Sequence, residues 1–140
     1  VRLALSSKIT DFINKKVIEQ GLSVLNREKG SKHPETLISS LKTLLFMFMI
    51  RADLTQSIEE HLNWVTDFTY LSFEGSPLSF KIIEKILKQG SKLQVVSFAG
   101  CISLTNEHFE TIVCFPLQTI IIDEEQRQFL VFQNLLLMFQ

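Results

Sequence analysis

The sequence predicts an α/β solenoid, a short horseshoe with parallel strands on its concave face and helices on its convex face. Residues recur at offsets 0, 3, 5 and 8 from starting positions 41, 68, 93 and 117, at intervals of 27, 25 and 24 residues. Offsets 3 and 5 place two apolar side chains on the same face of a short strand, since side chains alternate along an extended chain. Between these strands lie segments with helical spacing of apolar residues, and crossovers of that length leave successive strands parallel.

Three regions follow from this pattern: an N-terminal helical cap over 1–40, repeats over 41–125, and an apolar segment over 126–140. In the cap, Ile9, Phe12, Ile13 and Val17 form an amphipathic stripe, predicting a helix from about Ser6 to Gln20 that Gly21 closes. Asn26 to Lys32 reads as an exposed charged turn, and Pro34 suits the first turn of a second helix.

Each repeat then supplies one strand. The registers are Leu41, Leu44, Phe46, Met49; Phe68, Leu71, Phe73, Ser76; Leu93, Val96, Phe98, Cys101; and Leu117, Ile120, Ile122, Glu125. The return helices are expected over Leu54–Val65, Phe80–Leu87 and Phe109–Val113, with Gly90 ending the second and Phe115-Pro116 the third. The final stretch, including Phe129 to Phe132 and Leu135 to Phe139, reads as a helix across the open end or the start of a further repeat. Its apolar character also makes it a candidate for self-association.

Charge narrows the function classes. The formal net charge is −1, with seven Lys/Arg against four acids in residues 1–36 and seven against eleven in the rest. Neither a nucleic-acid footprint nor an anionic-membrane footprint is present, so no nucleic acid and no membrane is expected as a partner. Arg2 and Leu3 to Leu5 fall short of a secretory signal, and Leu44 to Ile50 is too short to span a bilayer. Two cysteines, Cys101 and Cys114, are too few for a disulfide framework; read as free and buried, they imply an intracellular, cytoplasmic setting.

Chemistry is not visible in the motifs. His33, His61 and His108 are scattered, and His61 has Ser57 and Val65 at i−4 and i+4, so no metal pair forms. There is no phosphate loop, dinucleotide fingerprint or nucleophile elbow. The adjacent acids Glu59-Glu60 and Glu124-Glu125 point apart on regular structure. No catalytic residue, metal or cofactor is expected.

Leu93 to Val113 carries a more specific pattern. Leu93, Val96 and Phe98 take strand positions, Cys101 the turn, Leu104-Thr105-Asn106 the helix start, and Phe109 and Ile112 the helical stripe. This segment resembles the cysteine-containing subclass of leucine-rich repeats found in substrate-binding subunits of F-box ubiquitin ligases. The other registers place Met49, Ser76 and Glu125 where that subclass has its cysteine. The resemblance implies a leucine-rich-repeat solenoid whose concave face holds a protein partner, as in a ubiquitin-ligase adaptor.

Offsets 2 and 4, with Met47 added at offset 6 of the first register, define the residues of that face: Thr43, Leu45 and Met47, then Tyr70 and Ser72, Val95 and Ser97, and Thr119 and Ile121. The set is uncharged and largely apolar, which suits a protein partner and not a polyanion. The function expected is therefore non-catalytic protein binding. A structural or assembly factor, and a small α/β enzyme with an ordinary open sheet, are the alternatives these residues leave open.

Overall fold

The computed structural model describes the backbone of residues 2–29 and 35–127, and the side chains there except at 2–7, 29 and 36. The chain divides into two compact units, Val1–Leu45 and Phe46–Gln140. The predicted role of Pro34, and all but the first two residues of the predicted 126–140 segment, lie outside the described residues.

In the first unit, α1 spans Arg2–Lys29, well past the stop expected at Gly21. Gly21 serves close packing instead: a Cβ there would sit 2.7 Å from Leu45 Cδ1. Leu25, Ile18 and Leu45 are buried in this unit. The expected turn at Asn26 to Lys29 is the last turn of α1.

The second helix, α2, spans Glu35–Arg51. It absorbs residues 41–49, expected to hold the first strand. The helix buries a different set from the offset residues, Leu45, Phe46, Met49 and Ile50, at the i, i+1, i+4, i+5 spacing of one helix face, and leaves Leu44 exposed. No glycine or proline interrupts Glu35 to Arg51, and an apolar run of that length favours helix over strand. In the second unit the helix ends on Asp53, whose φ of 57° is left-handed. Leu54 N–H donates to Met49 O (2.9 Å) and Asp53 N–H to Ile50 O (3.3 Å), the paired bonds of a Schellman turn.

A short helix, α3 (Thr55–Glu60), and a 3-10 helix over Leu62–Asp67 replace the single return helix expected over 54–65. The sheet follows, with β1 (Tyr70–Ser72), β2 (Val95–Ser97) and β3 (Thr119–Ile121) joined through α4 (Phe80–Gln89) and α5 (Asn106–Ile112). The strands are parallel in the order β1-β2-β3. Leu71 pairs with Val96, and Val96 with Ile120.

This is an open, three-stranded sheet, neither curled nor closed. The predicted four-strand horseshoe, and with it the leucine-rich-repeat solenoid, is not formed. With Leu41–Met49 in a helix, the series keeps three strands of three residues each, too few to accumulate the small rotations that curve a solenoid.

The core lies between the sheet and its helices. Leu71, Val96, Phe73, Phe98, Ile83, Ile86 and Ile112 are fully buried. Phe73 and Phe98 stack with centroids 5.4 Å apart, and Phe109 meets Phe98 edge-on at 6.1 Å. Gly90 is not left-handed at φ −85°; a Cβ there would lie 2.3 Å from Leu93 Cδ1. Its need for glycine is thus close approach. No described helix is long and apolar enough to cross a membrane.

Candidate functional site

Strand alternation sends Leu71, Val96 and Ile120 to the core and leaves the outward rows Tyr70–Val95–Thr119 and Ser72–Ser97–Ile121 in register. Six of the nine predicted face residues are therefore together, on a flat face. Tyr70, Thr119 and Ile121 are exposed, Ser72 and Val95 half-buried, and Ser97, small and central, is buried. The other three lie on α2 because Leu41–Met49 is helical. Leu45 is buried, and Thr43 donates its hydroxyl to Ser39 O (2.9 Å), a bond along its own helix.

Met47 rejoins the face by another route. With Arg51, one turn later on α2, it lines a hollow of about 260 Å³ together with Tyr70, Ser72 and Glu74. Arg51 and Glu74 were not among the predicted residues. Their signal was available: positions 47 and 51 share a helix face, and 70, 72 and 74 share a strand face, but only once 41–51 is read as helix. None of the ion pairs found among the described residues includes Arg51. The Ser72 hydroxyl accepts a hydrogen bond from Glu74 N–H at 3.1 Å.

A second, smaller hollow of about 110 Å³ lies at the C-terminal ends of β2 and β3, lined by residues including Gly100, Cys101, Asp123 and Gln126. Such a place is where open α/β sheets bind ligands, yet its polar groups are engaged in local structure. Asp123 accepts from Gly100 N–H and Gln126 N–H, both at 2.8 Å. Those two donors, Gln126 first, hold the Asp123 carboxyl below its ordinary value. Gln126 accepts from Asp123 N–H at 2.9 Å, completing a capping box at the start of the helical turn 124–127. The Cys101 thiol donates to Phe73 O at 2.8 Å, and burial pushes its pKa up to about 11. At neutral pH it is a neutral thiol and a poor nucleophile.

The turn position at offset 8 therefore has a structural use. Ser76 Oγ donates to Ile50 O (2.9 Å) and Cys101 Sγ to Phe73 O. In the last turn the donor is Gln126, to Phe98 O at 2.7 Å, one residue beyond the expected Glu125. Cys114, expected in the core, is exposed.

The histidines are local fixtures. His61 Nδ1–H donates to Ser57 O (2.8 Å), and Thr105 N–H donates to His108 Nδ1 (3.0 Å) while that ring stacks on Phe80. No group of three or more His, Cys, Asp or Glu able to hold a metal ion occurs among the described residues.

The first unit carries a different kind of surface. Ile9, Phe12, Ile13 and Val17, predicted to pack, are 58%, 62%, 53% and 39% exposed. Lys16 Nζ lies 5.6 Å from the Phe12 ring centroid.

No family model, curated protein or solved structure matches the chain, and so none of them points to a leucine-rich-repeat or F-box family.

Proposed function

We propose that the chain is a non-catalytic protein-interaction domain that meets its partner on the flat outward face of the β1-β2-β3 sheet. The observation that carries this reading is the uncharged row of exposed side chains there, with Tyr70 43% and Ile121 42% exposed at opposite corners. A water-facing sheet side is normally polar; large apolar and aromatic groups in its place suit the core of an interface, where Tyr and Arg are the usual anchors. The partner surface this requires is flat or gently convex. The concave cradle expected from the sequence has no counterpart in an uncurled sheet. Two thiols left free, one of them buried, fit a reducing, cytoplasmic setting.

The enzyme alternative gains little from the hollow at the strand ends, whose carboxylate and amide are spent on backbone groups. The test is to charge the face with Tyr70→Glu and Val95→Lys together, confirm the fold by circular dichroism, and compare quantitative affinity capture with the unaltered chain. Proteins recovered by the original and lost by the variant are expected. Identical recovery would remove the sheet face from the interaction.

A further inference from the structure

We infer that the hollow formed by Met47, Arg51, Tyr70, Ser72 and Glu74 receives a carboxylate side chain, Asp or Glu, from an extended segment of the partner protein. This inference rests on the protein-binding reading above and names the chemistry that would anchor it.

Size comes first. The hollow holds about 260 Å³, below the roughly 300–1,000 Å³ of pockets that enclose free small molecules. It is large enough for one side chain and part of its backbone, and it opens beside the exposed sheet face rather than into the core.

Hydrogen-bonding capacity narrows the ligand's chemistry. Arg51 brings five N–H donors and no acceptor, and none of the described ion pairs uses them. Ser72 Oγ already accepts from Glu74 N–H, so its hydrogen is left to donate outward. Tyr70 adds a phenol. Arg51, Ser72 and Tyr70 thus present donors while Glu74 presents acceptors, and the group that complements Arg51 is an acceptor able to take a guanidinium fork, which a carboxylate does bidentately.

Glu74 decides between anions. A phosphate ester brings about −1.5 to −2 charges, more than the single charge of Arg51 can pair, and the excess would face the Glu74 carboxylate. A carboxylate side chain brings one, and the backbone N–H groups flanking it in a peptide give Glu74 a donor. Met47 covers the aliphatic part of such a side chain with an adaptable apolar surface.

The experiment is an NMR titration of the isotopically labelled full chain with four blocked heptapeptides of Gly and Ser whose central residue is Glu, Gln, Lys or phosphoserine. The Glu peptide is expected to give saturable shifts at the Arg51 side-chain N–H and at the amides of residues 70–74. The Gln peptide, and the Glu peptide against Arg51→Gln, should each bind about tenfold more weakly, the scale of a lost charge-assisted bond. Arg51 is exposed at the end of α2, so unchanged spectra elsewhere will show that the variant is folded. Absence of shifts from the Glu peptide, equal binding by Gln or Lys, tighter binding by phosphoserine, or an unaffected Arg51→Gln variant would each overturn the inference. Capture lost on charging Tyr70 and Val95, with no response to the Glu peptide, would leave the sheet-face reading standing and remove only the carboxylate. The reverse pair of results would do the opposite.

Discussion

Phe12 and Phe98 show how differently the two units use the same side chain. Phe98 sits on the core side of the sheet, fully buried between a stacked Phe73 and an edge-on Phe109. Phe12 lies on α1 with 62% of its surface open and a lysine over its ring. Both belong to regular apolar patterns in the sequence. A periodic stripe states that a face is suited to cover; it does not say where the cover comes from. In the sheet unit the cover is local, because each strand is followed within a few residues by the helix that packs on it. In the helical unit the stripe Ile9, Phe12, Ile13, Val17 meets no such neighbour within its own helix, and the buried residues are others, Ile18 and Leu25 among them.

The contrast is open to direct tests by denaturant unfolding of the full chain. Phe98→Ala should cost about 3–5 kcal/mol, the range for emptying a packed aromatic site. Gly90→Ala comes next, at about 1–3 kcal/mol, because its methyl would overlap the buried Leu93 and force the site to repack.

A smaller loss is expected for Asp123→Asn, and it should depend on pH. Asp123 has a lowered pKa in the folded chain, so its contribution is present above the unfolded carboxylate value of about 3.9 and fades as pH falls through the folded value. The gap between wild type and Asp123→Asn should therefore narrow on acidification below about pH 4; a gap that stays constant would mean that the charge on Asp123 has no part in it. Phe12→Ala should stay within about 0.5 kcal/mol, as for an uncovered surface position. A cost near that of Phe98→Ala would erase the comparison and show that α1 is covered.

Much of the sheet unit was legible because its strands come from paired apolar residues two apart, at regular intervals, with breakers between them. The registers starting at 68, 93 and 117 become aligned strands, and Phe80–Leu87 becomes most of α4. The register at 41 does not become a strand: the continuous apolar run Leu44 to Ile50 fills offsets 3, 5 and 8 whatever its structure, and the face the helix buries is Leu45, Phe46, Met49 and Ile50. That one substitution of helix for strand removed the horseshoe, its concave face, and the strand roles of Thr43, Leu45 and Met47. It also hid Arg51, which gains a place beside Tyr70 and Ser72 only as the last residue of a helix. Gly21 was misread because a helical glycine that stops the chain and one that admits a neighbouring side chain look alike until that neighbour, Leu45, is placed. By contrast, Asp123-x-x-Gln126 is a capping-box pattern written in the sequence, obscured by assigning the turn to Glu125.

The three turn donors, Ser76, Cys101 and Gln126, all reach backward, to carbonyls at Ile50, Phe73 and Phe98. Each such latch ties a turn to the segment before it. Ile120 on β3 is only half-buried whereas Leu71 and Val96 are fully buried, so opening should begin at the β3 end and proceed toward β1. Hydrogen exchange would then run as a gradient along the chain, with the amides around Gln126 exchanging first and those around Ser76 last. The outward face would accordingly be firmest at Tyr70 and Ser72, the corner that also holds the Arg51 hollow.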